Sequence, residues 1–66
     1  MLNYVKAKIL NESGILSLKI EWGEGTSVVY HDVSRDRELL ETFVSKINSG
    51  RVSHLHIEDM IEDFLP

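Results

Sequence analysis

A chain of 66 residues with 42% hydrophobic side chains has room for one small core and argues against disorder. It carries 7 basic and 11 acidic residues, a net charge of −4 with histidine neutral, which argues against sequence-independent nucleic-acid binding, a task for clustered Lys and Arg. There is no cysteine, which excludes disulfides and thiolate metal sites.

No stretch approaches the roughly 20 apolar residues that span a bilayer, and no charged, apolar, small-residue signal segment opens the chain. The expected setting is therefore cytoplasmic, with no membrane partner. A domain this short buries only about 60% of its unfolded surface. Without disulfides to staple it, oligomerisation is the expected extra source of stability.

Residues 3–10 alternate, with Val5, Ala7 and Ile9 on one side and Tyr4, Lys6 and Lys8 on the other. Asn11, Glu12, Ser13 and Gly14 form a turn cluster. Residues 15–22 alternate again, setting Leu16, Leu18, Ile20 and Trp22 against Ser17, Lys19 and Glu21. Two alternating runs around a short turn predict a β-hairpin. Pairing Ile9 with Leu16, Ala7 with Leu18 and Val5 with Ile20 gathers the apolar residues on one face. A slip by one residue would turn Lys6 and Lys8 into the core, at high desolvation cost.

Gly23, Glu24 and Gly25 suit a three-residue loop, followed by a third strand over 26–32. Pairing Trp22 with Thr26 points Val28 and Tyr30 to the core and leaves Val29 and His31 outside. A four-residue loop would reverse this. The first arrangement is preferred because it buries Tyr30 rather than the ionisable His31.

Ser34 is the expected N-cap of a helix over about 35–48, with Asp36 and Glu38 in the first turn, where the dipole favours them. Leu40, Phe43, Val44 and Ile47 give the helical stripe, and Gly50 is the expected left-handed terminator. Ser53 is the expected cap of a second helix over about 54–65. There Ile57, Met60, Ile61, Phe64 and Leu65 line one side, and Glu58, Asp59, Glu62 and Asp63 the other. Setting these four acids aside leaves seven acids against seven bases, so the whole charge excess lies on this helix.

Strands first and helices after is the α+β pattern. The predicted fold is a single domain over residues 1–66, a three-stranded antiparallel β-meander with two C-terminal helices packed on one face.

The second half of the chain carries a resemblance. Asp32-Val-Ser-Arg-Asp-Arg-Glu-Leu-Leu-Glu41, Ile47-Asn-Ser-Gly-Arg-Val-Ser-His-Leu-His56 and Glu62-Asp-Phe-Leu65 are the residues concerned. Over roughly residues 28–65 it resembles an uncharacterised domain-of-unknown-function family of short proteins from anaerobic, spore-forming Gram-positive bacteria. The family commonly has proline where this chain has His54, so a family-wide role does not carry over to that residue. The resemblance implies a small bacterial domain and brings no activity, ligand or catalytic residue.

His56, Asp59 and Asp63, at i, i+3 and i+7, project from one side of the second helix. Three ligands strung along two turns of one helix seldom converge on an ion without help from another element. An ordinary solvated acidic face accounts for them better. Ser53, His54, His56 and Asp59 include the residue types of a hydrolytic triad, but triads are recognised by geometry, and no strained nucleophile turn is present. Gly23-Glu-Gly-Thr-Ser-Val28 lacks a third glycine and opens no helix, so it is a hairpin turn rather than a phosphate cradle. No catalytic, cofactor or metal residue is assigned.

The outer sheet face is the more informative surface. Lys6, Lys8 and Lys19 lie together there, with Tyr4, Val29 and His31 near them and only Glu21 opposing. Such a face could stack single-stranded nucleic acid, although base-stacking platforms use several aromatics and this one has a single tyrosine. An ordinary solvated face covered by lysine stems accounts for it better than nucleic acid does. A third reading docks it against an acidic helix, from a second copy or another protein. The expected function is a non-catalytic protein-interaction module that self-associates. Its contact residues are Lys6, Lys8 and Lys19 on the sheet and Glu58, Asp59, Glu62 and Asp63 on the second helix.

Overall fold

The computed structural model describes residues 3–65. Strand β1 (Lys6–Glu12), strand β2 (Ile15–Trp22) and strand β3 (Thr26–Ser34) form an antiparallel sheet in the order β1-β2-β3. Helix α1 (Arg37–Ser49) and helix α2 (Ile57–Phe64) follow. Val5, Ala7, Leu16, Leu18 and Ile20 from the sheet join Leu40, Phe43, Ile47, Ile57 and Ile61 from the helices in one buried cluster. Both helices therefore cover the same sheet face, the α+β arrangement that the alternation predicts.

The β1–β2 register differs by two residues from the expected one. Ala7 pairs with Ile20 and Ile9 with Leu18, because the strands run on to Glu12 opposite Ile15. Only Ser13 and Gly14 make the turn, at φ 55° and 86°. Positive φ at both central residues is the primed geometry whose twist matches that of the strands. A shift of two preserves every side chain's face, so the pattern of buried residues survives the change of partners.

Trp22 pairs with Thr26, Ile20 with Val28 and Leu18 with Tyr30, the preferred reading of the Gly23–Gly25 loop. Tyr30 is half-buried, whereas Val28 stays 37% exposed at the sheet edge. The strand continues past 32 through a bulge, where Asp32 has φ 52° and the register moves on to Leu16 opposite Ser34. The Asp32 N–H makes a long bond to Ser17 Oγ, 3.4 Å, and Val33 is carried into the core.

Asp36, not Ser34, caps α1: its Oδ1 accepts from the Leu39 N–H at 3.1 Å. Ser34 is still held in the sheet opposite Leu16, and its Oγ instead accepts from the Asp36 N–H at 3.1 Å. Gly50 ends the helix at φ −85°, and the left-handed residue is Arg51, at φ 51°. Gly50 is needed for a different reason: a Cβ there would lie 2.7 Å from the Lys46 carbonyl oxygen.

The second helix is shorter than expected. Val52 and His54 pair with the chain ahead of β1, the Val5 N–H donating to Val52 O and the His54 N–H to Asn3 O, both at 2.9 Å. Ser53 thus lies in a bridge opposite Tyr4 and caps nothing. Backbone committed to extended pairing cannot also start a helix, so α2 begins at Ile57, after His56, whose side chain makes no capping bond. Its Phe64 ring stacks on Phe43 of α1 at a centroid distance of 4.2 Å, a geometry worth about 1 kcal/mol beyond the area buried.

Asn48, near the end of α1, completes the packing on β1. Its Oδ1 accepts from the Ala7 N–H at 2.7 Å and its Nδ2 donates to the Ala7 carbonyl at 3.1 Å. The amide group imitates one residue of a further strand. Replacing Asn48 by Ala leaves both Ala7 groups without that partner and should lower stability by about 1–2 kcal/mol. Urea unfolding should show a reduced midpoint at unchanged slope.

Candidate functional site

The outer sheet face is where no element of the described chain lies over the strands. Lys8 stands directly opposite Lys19, Lys6 opposite Glu21, and Lys19 opposite Val29. Like charges facing each other across strands repel. Glu21 answers for both, its Oε1 lying 3.7 Å from Lys8 Nζ and 3.6 Å from Lys19 Nζ. Exposed pairs of this kind contribute about 0–1 kcal/mol. Glu12 stands on the same face at the hairpin end, so two carboxylates meet three ammonium groups and the basic character is local to Lys6, Lys8 and Lys19. Tyr4 and Val29 extend the face, 56% and 36% exposed.

The carboxylates of α2 lie on the helix side of the molecule, not on this face. Glu58, Asp59, Glu62 and Asp63 are all exposed; three of them line two separate grooves, and Asp59 lines neither. Glu58 and Glu62 line a shallow groove with Tyr30, Ile61 and Leu65. Asp63 lines another, with Phe43, Lys46, Met60 and Phe64. The sequence-derived residues thus form two surfaces on opposite sides of one small domain, and the chain does not bring its own acids to its own lysines.

The candidate metal and triad residues do not assemble. Among the described residues no group of three or more His, Cys, Asp or Glu side chains is placed to hold an ion. Ser53 Oγ is buried without a hydrogen-bond partner among the described residues, so no base activates it. The His54 ring is instead stacked on Trp22, centroids 6.0 Å apart, with Nδ1 3.3 Å from the Asn3 carbonyl oxygen. That stack was not legible in the sequence, since His54 and Trp22 meet only through the 52–54 bridge. Among the described residues no helix is long and apolar enough to cross a membrane. No protein-family model, curated protein or solved structure matches the chain.

Tyr30 reports on the acidic side. Burial first, then the negative charges of Glu58 and Glu62, hold its hydroxyl above the usual tyrosine range. The folded chain therefore binds this proton more tightly than the unfolded chain. The resulting stability is fully present below about pH 10 and is lost as pH rises through the folded value. In a Tyr4→Phe background, which isolates Tyr30, the double substitution Glu58→Gln and Glu62→Gln should lower the tyrosinate absorbance midpoint. The shift should be partial, because burial remains. An unmoved midpoint would show that the two carboxylates do not act on Tyr30.

Proposed function

We propose that this protein is a non-catalytic interaction module that self-associates and binds an acidic protein surface through the outer face of its sheet. The observation that carries the reading is the outer face on which Lys6, Lys8 and Lys19 cluster, with Glu21 the one carboxylate paired to them among the described residues. Opposed lysines are held at a cost, and an incoming carboxylate relieves their repulsion. An acidic helix such as α2 has the matching charge. Small size without cysteine supports self-association as a source of stability, and a reducing, cytoplasmic setting suits the same composition.

Among the described residues a single-stranded nucleic acid would meet the same lysines but one exposed tyrosine, Tyr4, and no phenylalanine or tryptophan on this face. The protein partner is therefore the better supported occupant.

The probe is a synthetic peptide spanning residues 55–65, titrated beside a single-stranded oligonucleotide at low and high salt. Peptide binding should weaken with salt and fall roughly tenfold in the double variant Lys6→Glu, Lys8→Glu, with circular dichroism unchanged. Absence of peptide binding at low salt would remove the basic-face reading. Tighter binding of the oligonucleotide would transfer the face to nucleic acid.

A further inference from the structure

The two edges of the sheet are treated differently. At the start of β1 and just ahead of it the outward backbone groups are occupied: Asn3 and Val5 bond to His54 and Val52, and Ala7 bonds to the Asn48 amide, whereas only Ile9 and Asn11 beside the hairpin turn are left open among the described residues. Because these odd-numbered residues point outward, the even residues of β1 face β2. Lys19 and Glu21, paired with Lys8 and Lys6, therefore spend their backbone groups on β1, and Leu18, Ile20 and Trp22 spend theirs on β3. Their partners Tyr30, Val28 and Thr26 are satisfied inward. Ser27, Val29 and His31 point outward along the free edge of β3, and none of them has a hydrogen-bond partner among the described residues.

Sheet edges are ordinarily protected by lysine, proline, a bulge or a covering segment. Thr26–Tyr30 carries no charge and no proline, and the bulge, which lies between Tyr30 and Ser34, begins only beyond these five residues. Val28 and Val29 are both more than a third exposed, on opposite faces of the same edge.

We infer that β3 pairs antiparallel with β3 of a second copy about a two-fold axis at Val29, joining two three-stranded sheets into one. The proposal rests on the self-association in the reading above and adds the surface that performs it. In this register Val29 faces the partner's Val29 and Ser27 faces the partner's His31, each pair exchanging two backbone bonds as outward-pointing residues do. Val28 faces the partner's Tyr30 on the helix side. Apolar meets apolar, and no formally charged side chains meet across the pairing. This self-complementarity selects a second copy over a foreign strand, since a two-fold contact must match its own surface. Residues directly opposite in an antiparallel pair share a face, so both basic faces lie on one side of the joined sheet and both helix layers on the other. Glu58 and Glu62, beside Tyr30, then flank the axis, and added salt screens their repulsion.

The experiment is solution mass by light scattering across a concentration series on the full chain, at low and high salt. The wild type should approach twice the chain mass, with association held or tightened by salt. Val29→Glu places a carboxylate opposite Lys19 within the chain, where it is tolerated, but against its own copy at the axis. It should raise the dissociation constant at least tenfold, while Val29→Thr stays dimeric. Hydrogen exchange on the wild type gives a second readout, with protection of the Ser27, Val29 and His31 amides rising with concentration. A Val29→Glu chain that associates like the wild type, or amides whose exchange ignores concentration, would overturn the inference. Dissociation by salt and by Lys6→Glu, Lys8→Glu would assign self-association to the basic face instead. A wild type that stays monomeric throughout would overturn self-association itself while leaving peptide binding by the basic face standing.

Discussion

The short bridge between Asn3–Val5 and Val52–His54 is the constraint that the rest of the structure depends on. Its two backbone bonds tie the connection between the helices to the strand that opens the chain. They cover the start of one sheet edge and set where α2 can begin. They also carry His54 onto Trp22, covering the end of the β2 ladder. Asn48 continues the same closure one step further along β1. Without this return the second helix would be a short amphipathic segment on a tether, and an eight-residue helix has little stability of its own. Tertiary packing of Ile57 and Ile61 is what makes it a helix.

Local patterns carried most of the fold. Period-two alternation marks both hairpin strands and the buried face, and the spacing of Leu40, Phe43 and Ile47 marks α1, because in each case burial repeats with the local geometry. What was illegible depended on atoms distant in sequence or on competition between neighbours. Ser34 and Asp36 are both good capping residues, and the choice fell to Asp36 because Ser34 is still paired in the sheet. Ser53 reads as a helix cap in isolation and is a bridge residue only because Tyr4 lies opposite it. The hairpin register turned on whether the turn used two residues or four, a difference that face alternation cannot register since both solutions bury the same side chains.

The surface residues were legible in a different sense. Alternation places Lys6, Lys8 and Lys19 outside as surely as it places Ala7 and Leu18 inside. Their mutual placement followed from pairing: Lys8 against Lys19, with Glu21 bridging both. The four acids of α2 read as a single stripe in sequence, but packing separates three of them, setting Glu58 and Glu62 beside Tyr30 and Asp63 in the Phe43–Phe64 groove. A helix face is uniform only until something packs beside it.

Edge and face of this sheet are separate surfaces with opposite chemistry. The free edge of β3 is uncharged and offers directional backbone bonds, whereas the outer face is basic and offers field and reach. Pairing along the edge as proposed would take up Val29, leave the three lysines free and set two copies of them side by side. In the proposed dimer two linked basic faces would bind a doubly acidic partner more tightly than either alone, because the second contact would form within an existing complex. Self-pairing along the open edge of β3 would therefore increase binding without adding a residue to the binding face.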